Sequence, residues 1–222
     1  MAKSTILKDL ATNKVSLEVA LSRLMIIASD IDDDELRKWA TKELNGYNKE
    51  DECPPYRLIA PGNIIYSGIK GHLKITDASL PVEAFPTEHQ NILRTSIPVK
   101  DSLASITNIV ENKQQFGTDL TNFASAVYKA QGIQCISINM VFCYTQYNEI
   151  LSSLRTKLLN IFIELDKRLG NLDDLDIDTQ NVDLNKLKQI TYNIIYQNNS
   201  VELGDNNKVS KSGLFGGSSD GG

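Results

Sequence analysis

The stretch DDDELRKWATKELNGYNKEDECPPYR, residues 32–57, decides the fold. It reads as a helix marked at both ends and followed by a rigid, extended exit. Asp32, Asp33, Asp34 and Glu35 put carboxylates where unpaired backbone N–H groups and the positive end of the helix dipole favour negative charge. Leu36, Trp39, Ala40 and Leu44 then share one face at helical spacing. Gly46 stands where a left-handed residue closes a helix, just beyond Lys42, so the spacing predicts a helix over 33–45. Beyond Tyr47 and a charged turn come Cys53, Pro54, Pro55 and Tyr56. Each proline fixes its own φ and pushes its predecessor out of the helical region, which forces an extended path.

Working outward, Ser16 caps an earlier helix carrying Val19, Leu21, Leu24, Ile27, Ala28 and Ile31. It ends near Ser29 and Asp30, so the two helices should form an antiparallel hairpin. The run Leu24-Met25-Ile26-Ile27 is apolar nearly all round, which implies burial on more than one side, by its own domain or by a neighbouring subunit. Downstream the period changes. Residues 63–66 and 73–76 are short β-prone runs around a turn at 68–71, with His72 opening the second run. A short helix capped by Thr87 should follow, then a strand over 95–99, a helix from Asp101 or Ser102 with Leu103, Ile106 and Ile109 inward, and another over 119–130 ended by Gly132. Residues 134–142 alternate like a strand. From Tyr147 a long stripe, Ile150, Leu151, Leu154, Leu158, Ile161, Phe162, Leu165 and Leu169, predicts a helix stopped by Gly170. The expected class is α+β: a helical domain with a small antiparallel sheet and a C-terminal β appendage.

Three stretches resemble, in order, the domain of the AbiTii type. They are ELRKWATKELNGY (35–47) followed by PPYR (54–57), then Ile97-Pro98-Val99 leading into DSLASI (101–106), and EILSSLRTKLLNIFIEL (149–165). The likeness covers roughly residues 15–170. It implies a part in abortive infection, the bacterial anti-phage defence in which an infected cell stops growing or dies. It supplies no catalytic residues to carry over.

Composition agrees with an ordinary soluble protein. The chain has 222 residues, 41% hydrophobic and 23% charged, enough for a medium domain with an appendage. A formal charge of −5 disfavours extensive contact with a phosphate backbone, so nucleic acid is not the expected partner. No apolar run approaches a membrane span, and the opening MAKSTILKDLATNK has no signal-peptide core, so a cytoplasmic protein with no membrane partner is expected. Cys53, Cys135 and Cys143 are too scattered for a zinc pattern and read as reduced thiols.

Residues 1–170 form the expected α+β domain and 171–186 an acidic linker. Within the linker, Asp174, Asp176 and Asp178 have the spacing of a calcium loop, but Thr179 and Asn185 stand where Gly and Glu are needed, so no metal is expected. Residues 187–210 should be a small β appendage with Tyr192, Ile194, Tyr196, Val201 and Leu203 as candidate partner contacts, because two or three strands cannot stand alone in water. Residues 211–222 are a Gly/Ser tail. Arg155, on the margin of the long apolar stripe, is a candidate anion contact beside its default as a structural ion pair or carbonyl contact.

No catalytic motif and no cofactor site is expected. Glu88-His89 suggests acid–base chemistry, but adjacent helix residues point apart. The leading functional expectation is a non-catalytic defence protein acting through association, as a homo-oligomer or with a second defence-system protein. A toxin-like enzyme such as a nuclease with a dispersed active site, and a nucleic-acid-binding module, are the alternatives.

Overall fold

A computed structural model describes residues 3–174, 177, 179 and 182–197. The deciding stretch forms as expected. Helix α3, Asp34–Asn45, is capped by the Asp33 side chain, which accepts from the Leu36 N–H, and buries Leu36, Trp39 and Ala40. Before it, α1 spans Thr5–Ala11 and α2 spans Leu17–Asp30, the latter capped by Ser16 accepting from Val19 N–H. Gly46 ends α3 with φ +93°. Its α-carbon lies so close to the incoming chain that an added Cβ would stand 2.8 Å from the Lys100 carbonyl. Pro55–Arg57 then make one 3₁₀ turn and deliver the chain to β1, Leu58–Ile59.

Strands β2 (Asn63–Lys70) and β3 (Leu73–Ser79), the two β-prone runs, pair as an antiparallel hairpin. Helix α4 (Thr87–Arg94) leads to β4 (Ile97–Pro98), which pairs with β1. Then come α5 (Leu103–Glu111), β5 (Phe116–Asp119), α6 (Ala124–Gln131), β6 (Gln134–Phe142) and α7 (Tyr144–Leu169). The larger sheet is antiparallel with strand order β3-β2-β6-β5. On β6, Ile138, Met140 and Phe142 alternate inward, the pattern of a sheet with one buried face.

Two apolar cores meet along α7. Leu154, Leu158, Ile161, Phe162 and Leu165 join the helical core of α1, α2 and α3, whereas Tyr147 and Ile150, nearer the helix start, join the core beneath the sheet. Tyr56 and Leu151 pack against both. The α+β architecture therefore follows from one long helix, about 39 Å by its residue count, offering each layer part of its length.

The structure departs from expectation at several places. The largest is α8, Leu184–Tyr196, a helix where β-prone residues 191–196 suggested strands. Leu187 and Ile195 bury in the helical core and Ile190 is buried as well, and that burial outweighs the β-branched and aromatic propensity of ITYNIIY. Val201 and Leu203 lie outside the described residues. Helix α1 was not expected. The start of the expected acidic linker is tied to it: Leu172 is fully buried, and Asp173 accepts from the Thr5 N–H at 2.7 Å and the Thr5 hydroxyl at 3.1 Å. The helix expected over 119–130 begins only at Ala124, because the Leu120 N–H donates to the Ile138 carbonyl at 2.8 Å and extends the sheet. Val19 is 56% exposed and faces away from the core it was assigned to.

Gly46→Ala must force a side chain into positive-φ backbone against Lys100 O. It should lower stability by about 1–3 kcal/mol, read as a drop in urea midpoint; a midpoint equal to wild type would show that the α3–α5 approach tolerates a Cβ.

Candidate functional site

The most deeply buried charges in the described structure lie within the deciding stretch. Glu43 and Arg57, 14 residues apart, are both fully buried and form an ion pair, Arg57 Nη2 to Glu43 Oε2 at 2.7 Å. Arg57 Nε donates to both carboxylate oxygens at 3.1 Å, and Nη1 donates to the carbonyls of Val99 at 3.0 Å and Asp101 at 2.8 Å. On the other side, Glu43 Oε1 accepts from the hydroxyls of Tyr47 and Tyr56, each at 2.6 Å. The Tyr56 oxygen in turn accepts from Trp39 Nε1 at 3.1 Å. The Arg57 guanidinium also lies over the Tyr47 ring, 4.9 Å from its centre.

Every polar atom of this cluster has a partner within it, which is the condition for burying charge at tolerable cost. Burial first, and the Glu43 charge second, push the Tyr47 and Tyr56 hydroxyls well above the ordinary tyrosine value, so both stay protonated donors. Burial works against the Arg57 charge, yet the attraction of Glu43 outweighs it and the net shift is upward. With both carboxylate oxygens and the guanidinium engaged, the cluster presents no free acceptor or base to a substrate. Chemically it is a clamp holding α3, the 3₁₀ turn, β4 and the start of α5 in one arrangement.

Glu43 lies four residues after Trp39 and seven after Leu36, inside the apolar stripe of α3. A carboxylate in that position is the signal that could have found the cluster in sequence.

Beside the clamp, Lys157 on α7 lies over the Tyr56 ring at 5.3 Å and donates from Nζ to the Ile194 carbonyl at 2.5 Å, in the last turn of α8. Burial draws this ammonium below its ordinary value. The other end of α8 is held by Lys188 Nζ donating to Asp32 O at 2.7 Å. The outward face of α8 carries Tyr192, 50% exposed, and Tyr196, 36% exposed, with ring centres 4.7 Å apart. Of the residues expected to touch a partner, these two form one exposed aromatic patch, whereas Ile194 packs against its own helical core. Arg155 takes part in neither cluster's hydrogen bonds and donates to the Leu10 carbonyl at 3.4 Å, at the end of α1.

The other candidates stay apart. His89 sits edge-on to Phe123, ring centres 4.9 Å apart, and its nearest carboxylate is Glu88 at 3.9 Å. Cys53, Cys135 and Cys143 are free. Among the described residues no three His, Cys, Asp or Glu side chains are placed to hold a metal ion together, and no helix is long and apolar enough to cross a membrane.

Comparison with known proteins gives one result. A family model described as AbiTii matches residues 4–190, from the start of α1 into α8. No curated protein and no solved structure matches.

Removing one partner of the clamp leaves the others buried without an acceptor. Glu43→Ala should cost about 3–5 kcal/mol, whereas replacing Glu43 by Leu together with Arg57 by Met should recover most of that loss. Equal destabilisation in the single and the double variant would contradict the pairing. The tyrosines add a pH dependence with a definite sign. Tyr47 and Tyr56 have raised folded values, and burial with the Asp101 charge pushes Tyr147 up to about 12. Their contribution is therefore fully present below the unfolded tyrosine value of about 10 and is lost as pH climbs above it. Urea melts across that range should show falling midpoints, and a flat profile would refute it.

Proposed function

The chain belongs to the AbiTii family, and on that premise we propose that it is a non-catalytic abortive-infection protein of the cell interior that acts by associating with other protein chains. The observation carrying this reading is the Tyr192–Tyr196 pair, two rings in contact at a tilt of 36° on the open face of α8. Tyrosine presents a large, stiff surface with a polar tip, at small cost in side-chain entropy, and is enriched at the energetic centres of interfaces. An exposed aromatic pair in van der Waals range, on a helix whose opposite face is buried, fits an interface better than a solvated surface. A non-catalytic role is supported by the saturation of the Glu43–Arg57 cluster, whose buried charges are spent on one another. The partner is a second copy or a separate defence-system protein, and the same face serves either.

Removing everything from residue 187 onward is a poor test, because Leu187 and Ile195 belong to the helical core. Tyr192→Ser with Tyr196→Ser leaves that core intact. The double variant should keep its thermal midpoint within about 1 kcal/mol of stability and lose assembly mass by light scattering, or lose co-purification with a neighbouring-gene product, together with phage protection in cells. Unchanged mass, co-purification and protection would defeat the proposal.

A further inference from the structure

The end of the larger sheet opposite the clamp has a surface that the association reading does not use. Two turns close it: the β2–β3 turn at Gly71 and the α6–β6 junction at Gly132. The register sets them side by side, since Ile69 lies opposite Lys74 on one flank and Gln134 on the other. Residues 69–74 and 128–132 are all exposed, and a Cβ built at Gly71 or at Gly132 would meet nothing within 4 Å. Nothing in the described structure leans over either turn.

This end is apolar and cationic together. Leu73 is 71% exposed, Ile136 63%, Tyr128 57% and Ile69 40%. The sheet itself turns Ile136 out. Pairing shifts between Ser67 and Gly68, so that Ile136 is the extra residue of a β-bulge. Among these side chains stand Lys70, Lys74, Lys129 and His72. Residues 53–76 and 120–148 contain no Asp or Glu, although the chain carries 28 acidic residues and a net charge of −5. The first acid along the hairpin, Asp77, is turned toward Ser67, whose hydroxyl donates to it at 3.1 Å.

We propose that this acid-free sheet end is a peripheral docking surface for an anionic lipid bilayer. Aliphatic side chains on an open turn can enter the boundary between headgroup and acyl chain, and lysines on either side can meet lipid phosphates while their stems follow the apolar surface. A nucleic acid fits less well. Its recognition draws on guanidinium and aromatic planes, but residues 58–93 and 95–154 contain no arginine and three of the four exposed apolar residues are aliphatic. Addition of a partner strand to β3 is opposed by a second register shift, between Tyr66 and Gly68, and by Asp77 at φ 48°, which interrupt the ladder. The expectation of no membrane partner rested on the absence of a spanning segment, which does not bear on docking from one side.

The test is co-sedimentation of the full chain with vesicles of phosphatidylglycerol and phosphatidylcholine, against vesicles of phosphatidylcholine alone, at low and raised salt. The mixed vesicles should bind the protein, phosphatidylcholine alone should not, and salt should weaken the binding. Lys70→Glu with Lys74→Glu should reduce partitioning about tenfold or more. Leu73→Ser with Ile136→Ser should reduce it as well, with an unchanged thermal midpoint because both side chains are exposed. No binding to the mixed vesicles at low salt overturns the proposal. So does binding that the serine variant leaves intact while a single-stranded oligonucleotide competes for it, which would mark a general polyanion surface. Neither result touches the association reading, whose residues lie on α8.

Discussion

The described structure depends on one buried ion pair, Glu43 with Arg57. Bringing these charges out of water is unfavourable by itself, and their mutual attraction offsets that only because Tyr47, Tyr56 and two backbone carbonyls complete the coordination. Such a pair adds little net stability over a well-packed apolar substitute. What it adds is a single solution to a geometric problem. Arg57 reaches α3 with one edge and the Val99–Asp101 backbone with another, so the 3₁₀ turn is tied to both at once. The neighbouring backbone is closed by related contacts: Tyr47 N–H donates to Lys100 O at 2.8 Å and Val99 N–H to Arg57 O at 2.8 Å. Gly46 is required because side-chain space is missing at that crossing.

From this joint the division into two cores follows. The chain leaves α3 for the sheet through Pro54 and Pro55, and the clamp decides at what angle. Helix α7 runs past the joint and serves both layers, with Leu151 and Tyr56 bridging the cores. Neither layer is a free unit, since each completes its apolar face on the same helix.

How far sequence reached depended on whether the deciding contacts were local. Helix α3 was legible from both ends, because its cap, its stripe and its glycine stop lie within one short stretch. Strand β6 was legible because alternation needs no knowledge of its neighbours. Helix α8 was misread because Thr191, Ile194 and Ile195 favour strands locally, although Asp183 as cap and Leu187, Ile190 and Ile194 at helical spacing carried the opposite message. Helix α1 was missed for a different reason: its N-terminus is held by Asp173 and by Asp166, partners more than 160 residues away. The ion pair lay in plain view residue by residue, yet nothing in a linear reading matched Glu43 with Arg57 across a proline turn. The Tyr192–Tyr196 patch was anticipated as residues, but on strands, where i and i+4 share a face without touching; a helix brings the two rings together.

That last point connects the joint to the surface. Tyr56 donates to Glu43, and its ring lies beneath Lys157, which holds the final turn of α8 by the Ile194 carbonyl. A cation at the C-terminal end of a helix is favourable in itself, and here the same cation is positioned by a ring that the buried carboxylate orients. The exposed tyrosines therefore take their place from a chain of short contacts that begins at Glu43. Spatial continuity alone does not make such a chain a signalling route, for that needs an element with two alternative arrangements. What it does supply is attachment: α8 is tied to the body through the Ile194 carbonyl, and on the association proposed above a face held in this way would spare a partner the entropic cost of ordering it.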